Sequence, residues 1–133
     1  MITKAVVMSE PGSLSIQPVD LKSPSKEDVV IEINYSGIST GTEKLFYNGK
    51  MPQFPGMGYP LVPGYESTGE VVQAPKDSNL KIGDMVFVPG ADCYSGSVKS
   101  LFGGAARMIS SSPNRLIKID PTMGCNGALF ALA

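Results

Sequence analysis

Asp28-Val29-Val30-Ile31-Glu32-Ile33-Asn34-Tyr35 is the stretch that decides the fold. Positions 29, 31, 33 and 35 are apolar or aromatic, and Glu32 and Asn34 fall between them. That period of two predicts a strand with one covered face. Working upstream, Lys4 to Met8 and Leu14-Ser15-Ile16 read as two further strands around a turn at Glu10-Pro11-Gly12-Ser13. Pro18 to Ser25 is polar with two prolines and reads as a loop. Downstream, Ser39, Thr40 or Thr42 can cap a short helix through Lys44-Leu45-Phe46-Tyr47. Gly49 to Pro63 holds four prolines and three glycines and is expected to be a long irregular loop. Gly64 to Val72, Met85 to Val88, Ala105 to Ile109 and Leu116 to Ile119 read as strands, with a second polar loop over Ala91 to Gly104. Short strands at this spacing predict a mainly β, partly open barrel with short helices and two long loops.

The chain has 133 residues and 42% hydrophobic content, enough for one domain with its own core. Its 15 glycines and 11 prolines are dispersed, as expected for many turns. A formal net charge of -1 gives no basic stripe for nucleic acid or an anionic membrane surface. With no histidine, the usual neutral-pH base and the commonest nitrogen ligand for a metal are both missing. Cys93 and Cys125 lack the spacing of a disulfide framework and suit a reducing, cytoplasmic setting. The opening Met1 to Met8 reads as neither a signal peptide nor a membrane span. Asn126 to Ala133 reads as the opening of an apolar helix that stops without a cap, the mark of a truncated chain.

Four blocks carry a resemblance. They are Gly37-Ile38-Ser39-Thr40-Gly41-Thr42-Glu43, Pro60-Leu61-Val62-Pro63-Gly64-Tyr65-Glu66-Ser67-Thr68-Gly69-Glu70-Val71-Val72, Leu80-Lys81-Ile82-Gly83-Asp84-Met85-Val86 and Gly103-Gly104-Ala105-Ala106-Arg107-Met108-Ile109. In order and spacing they resemble the amino-terminal, GroES-like domain of the medium-chain dehydrogenase/reductase family. The run Phe54-Pro55-Gly56-Met57-Gly58-Tyr59-Pro60-Leu61-Val62-Pro63-Gly64-Tyr65-Glu66 is more specific. It resembles the bacteriochlorophyllide a dehydrogenase family. That resemblance implies oxidation of a 3-(1-hydroxyethyl) substituent to acetyl with NAD. It further implies a substrate-side domain over residues 1–125, with 126–133 leading to a nucleotide-binding domain. No cofactor-binding residue is expected within the chain.

Zinc-dependent members carry a cysteine in the first block and Gly-His-Glu in the second. Here Ser39 or Thr40 stands at the cysteine position and Tyr65 at the histidine, with Glu66 kept. Hydroxyls and a phenol are poor Zn²⁺ ligands beside thiolate and imidazole, so a zinc-free member is expected. Hydrogen bonds must then stabilise a developing alkoxide. Thr42 aligns with the family's proton-relay hydroxyl, and Ser39, Thr40 and Tyr65 are the other candidates. Helix capping competes for Ser39 and Thr40, and a backbone hydrogen bond competes for Tyr65. Glu66 opens an apolar strand, where a lone charge is costly. It either pairs structurally or tunes the site. Glu43 is similar, with Arg107 as a candidate partner. Tyr47, Met51, Phe54, Met57 and Tyr59 are candidates to pack against a flat pigment, or else they cover the barrel. Two other functions remain open at this point: a zinc-free quinone or enoyl reductase, and a β-rich binding module without enzymatic activity.

Overall fold

The computed structural model describes residues 1–130. A first hairpin pairs β1 (Ile2–Glu10) with β2 (Ser13–Asp20), in register Val6 with Ile16 and Met8 with Leu14. It joins β4 (Leu61–Val62) and β7 (Lys99–Ser100) in a four-stranded sheet of order β2-β1-β4-β7. The second sheet is built on β3 (Val29–Ser36), β5 (Ser67–Gln73) and β6 (Met85–Val88). β8 (Met108–Ser111) and β9 (Ile117–Lys118) complete it in the order β8-β3-β5-β6-β9. The helices are short: α1 (Thr42–Asn48), α2 (Asn126–Phe130) and two single 3-10 turns. The rest of the helix expected to run to residue 133 lies outside the described residues.

The two sheets face each other across one apolar core. Ala5, Val7 and Val19 come from the first, and Val29, Ile31, Val71, Val86, Val88 and Ile109 from the second. Ile31, Val71 and Val86 are fully buried, each worth about 1.5–3 kcal/mol against exposure. That gain fixes the register, because a one-residue slip would turn these side chains outward. Along one seam the sheets are stitched by residues 105–107. The Val6 amide donates to the Ala105 carbonyl, the Arg107 amide to Lys4, and the Ile33 amide to Arg107, each at 2.8 Å. The sheets do not close into a true barrel.

Three sequence expectations are corrected. Pro18 was expected in a loop but lies within β2, opposite Lys4. β2 is an edge strand, so the missing proline N–H breaks no ladder bond. Tyr35 was expected on the covered face of β3 but is 48% exposed. A register shift between Ile33 and Tyr35 resets the alternation. The loop from Gly49 to Pro63 contains β4, whose Leu61 and Val62 are fully buried. Together with Met8, Phe46 and Leu101, Leu61 forms a small second core, against which Met51, Met57 and Tyr59 pack. Among the described residues, no helix is long and apolar enough to cross a membrane.

Candidate substrate-side site

Ser39 organises the start of α1. Its hydroxyl accepts the Thr42 amide at 3.2 Å, and its own amide donates to Glu43 Oε2 at 2.9 Å. This reciprocal exchange closes the first turn much as a capping box does. Ser39 is thereby committed to the backbone, while Thr42 points its hydroxyl away from the helix toward Tyr65. Thr40 is exposed on the turn itself. Four residues after Thr42, Phe46 falls on the same helix face.

Tyr65 comes from a corner that needs glycine before it. Gly64 has φ +104°, and a Cβ there would lie 2.7 Å from the Ala105 nitrogen. The corner brings the Tyr65 hydroxyl to Thr42 Oγ1 at 3.3 Å, as donor. The Tyr65 ring stands edge-on to Phe102, with centroids 5.4 Å apart and planes at 87°. Thr42, Phe46, Met51, Phe54, Tyr65, Pro89 and Phe102 line an open groove of about 470 Å³. Two hydroxyls thus sit within walls that are otherwise aromatic, thioether or proline.

The other named residues fall around this groove in different ways. Met57 and Tyr59 pack on the second core, and the Tyr59 hydroxyl donates to the Phe46 carbonyl. Tyr47 is exposed, and its carbonyl accepts the Gly12 amide at 2.8 Å. The carbonyl of Glu66 accepts the Gly37 amide at 2.7 Å. Arg107 is paired with neither Glu43 nor Glu66. It reaches Glu32 at 3.2 Å on the surface, because the β3–β8 register sets Glu32 opposite Met108 and next to Arg107.

Glu43 is 7% exposed, and among the described residues no cation pairs with it. Burial pushes its carboxyl above the ordinary range, and the charge of Glu66 adds to this. Hydrogen bonds from the backbone amides of Glu43 and Ser39 pull the other way.

Sequence reading missed Phe46, Pro89 and Phe102 as groove walls. Phe46 was findable from its i+4 relation to Thr42. Pro89 and Phe102 are distant in sequence from the motifs and are brought in only by β6 and the turn after β7.

Hydroxyls dominate the polar donor set at the groove. Among the described residues, no group of three or more His, Cys, Asp or Glu side chains converges on a possible metal position. Cys93 is buried in the main core, and Cys125 is exposed just before α2. The residues at the groove do not fit a catalytic zinc.

Comparison with known proteins agrees with this architecture. The chain is 54% identical over its whole length to 2-desacetyl-2-hydroxyethyl bacteriochlorophyllide A dehydrogenase of Rhodobacter capsulatus. It is 52% identical, again over its whole length, to the protein of the same name from Cereibacter sphaeroides. It spans 42% and 43% of the length of these two relatives. The crystal structure of 2R,3R-butanediol dehydrogenase from Bacillus subtilis shares the fold, with a TM-score of 0.73 and 24% identity. That match covers 96% of this chain and 43% of the other. Residues 25–121 match the alcohol dehydrogenase GroES-like domain. With its two open sheets and short helices, the chain belongs to the alcohol dehydrogenase GroES-like domain family and has close kinship to the bacteriochlorophyllide a dehydrogenases.

Proposed function

We propose that this chain is the substrate-side part of an NAD-dependent dehydrogenase. Its reaction is oxidation of the 3-(1-hydroxyethyl) group of bacteriochlorophyllide a to 3-acetyl, a step in bacteriochlorophyll synthesis. The observation that carries this reading is the Thr42–Tyr65 hydroxyl pair at 3.3 Å within an otherwise apolar groove. A secondary alcohol on the rim of a flat, apolar macrocycle has that pattern of polarity. The identities to the two named dehydrogenases support the same substrate.

In this reading residues 1–125 hold the substrate, and residues 126–133 lead to a nucleotide-binding domain. NAD, bound by that domain, supplies the hydride acceptor. Thr42 Oγ1 takes the proton of the substrate hydroxyl as its own proton passes to the Tyr65 oxygen. In the same step the Tyr65 hydroxyl gives its own proton to solvent at the open side of the groove, so neither hydroxyl is left charged. The relay needs the Tyr65 hydroxyl to turn away from Thr42, which a freely rotating O–H allows. Phe46, Met51, Phe54 and Phe102 exclude water and pack against the ring. No zinc takes part.

Full-length protein incubated with the 3-hydroxyethyl pigment and NAD should yield the 3-acetyl pigment and NADH in equal amounts, read by chromatography and absorbance. Absence of conversion, or one bound zinc per chain by elemental analysis with loss of turnover on its removal, would overturn the reading.

A further inference from the structure

A larger hollow lies beside the groove. Phe54 and Phe102 line the groove, while their chain neighbours Pro55 and Leu101 line a second hollow of about 720 Å³. The two share a ridge made of these two residue pairs. The second hollow has both polar and apolar walls. Lys22, Asp92, Ser95, Ser97, Lys99 and Ser100 furnish its polar groups.

The charges in it do not balance. Asp92 Oδ1 takes the Lys22 ammonium at 3.7 Å and the Ser100 hydroxyl at 3.3 Å. That leaves Lys99. Among the described residues, no carboxylate lies within ion-pairing distance of its ammonium. The stem of Lys99 passes over Gly58, where an added Cβ would be 2.7 Å from Cε and 4.0 Å from Nζ. The backbone of Lys99 is fixed by its pairing with Leu61 and by its amide, which donates to the Pro60 carbonyl at 2.9 Å. A cation without a carboxylate partner among the described residues is therefore held in the second hollow, on β7, three residues before the Phe102 that walls the groove.

We propose that Lys99 pairs with the free carboxylate of the substrate, the propionate side chain that distinguishes a bacteriochlorophyllide from its esterified pigment. The inference rests on the substrate reading above. The ring lies over the Phe54–Phe102 ridge with the hydroxyethyl group toward Thr42, and its propionate reaches the second hollow. Lys99 then selects the free acid over the ester through binding alone, and it takes no part in the proton transfer.

The test uses full-length protein, wild type and Lys99→Gln, with the free acid and with its methyl ester. Wild type should show a KM for the acid about fivefold lower than for the ester, the scale of a solvent-exposed ion pair. Lys99→Gln should lose that preference, with kcat on both pigments and the KM for NAD unchanged. A preference that survives in Lys99→Gln overturns the inference and leaves the substrate reading standing. So does a rise in the KM for NAD, which would place a nucleotide phosphate at Lys99. If wild type neither binds nor converts either pigment, judged also by quenching of pigment fluorescence, both readings fall together.

Discussion

Replacing Thr42 by Val removes one oxygen and keeps the branched shape, so its effects on folding and on chemistry separate cleanly. The structural loss is small. The Tyr65–Thr42 hydrogen bond is long at 3.3 Å and only part-buried. A neutral hydrogen bond of ordinary geometry contributes about 0.5–1.5 kcal/mol net, and this one belongs at the lower end. Tyr65→Phe costs no more, because the edge-on contact with Phe102 at 5.4 Å survives. The chemical loss should be much larger. If Thr42 Oγ1 takes the alcohol proton and steadies the alkoxide, its removal should lower kcat about a hundredfold, the scale of one lost oxyanion partner. Tyr65→Phe should cost somewhat less, and the double variant should be no worse than Thr42→Val alone, since the two hydroxyls act in series. The assay is NADH formation from the 3-hydroxyethyl pigment by full-length protein, beside urea unfolding of each variant. A folded Thr42→Val protein with kcat within about threefold of wild type would refute the relay.

Other perturbations follow from the neighbouring geometry. Ser39→Ala removes the acceptor for the Thr42 amide and should cost about 1 kcal/mol in urea unfolding, the usual loss for a helix-start oxygen; no change in the midpoint would deny Ser39 that role. Glu43 has its carboxyl pushed upward on folding, so the folded state holds its proton more tightly than the unfolded state. The resulting stability is present below the ordinary carboxylate range and is lost as pH rises through the raised folded value. Glu43→Gln should therefore gain on wild type as pH rises from acid to neutral, and a gap that stays constant with pH would show that burial of the charge is not the cause. Gly103→Ala combines φ +87° with a Cβ 2.0 Å from the Ala91 carbonyl oxygen. It should cost on the order of 3 kcal/mol or more, and a variant with native melting would contradict the backbone described.

The strand of alternating residues at Val29–Ser36, the turns between strands and the start of α1 were legible because each rests on local periodicity or capping chemistry. Tyr35 was misplaced because a bulge shifts the alternation, and a bulge has no period of its own. Pro18 misled for a related reason: a proline interrupts a central strand but not an edge, and edge position is a property of the sheet. Thr42 and Tyr65 were legible as candidates through aligned motifs, and their meeting at 3.3 Å required the fold. Arg107 was assigned by charge alone, while the β3–β8 register determines that it meets Glu32. Phe102 and Pro89 carry no motif, so the groove they wall was visible only once β6 and the turn after β7 were in place.

The division of the interior into a large core and a second one of Met8, Phe46, Leu61 and Leu101 has an evolutionary consequence. Phe46 and Met51, two of the seven residues lining the groove, belong to the smaller cluster or pack on it. Changes there can enlarge, narrow or re-aim one side of the groove while the two sheets keep their register. A lineage can thus reshape the groove by altering one peripheral anchor, leaving the inherited scaffold intact.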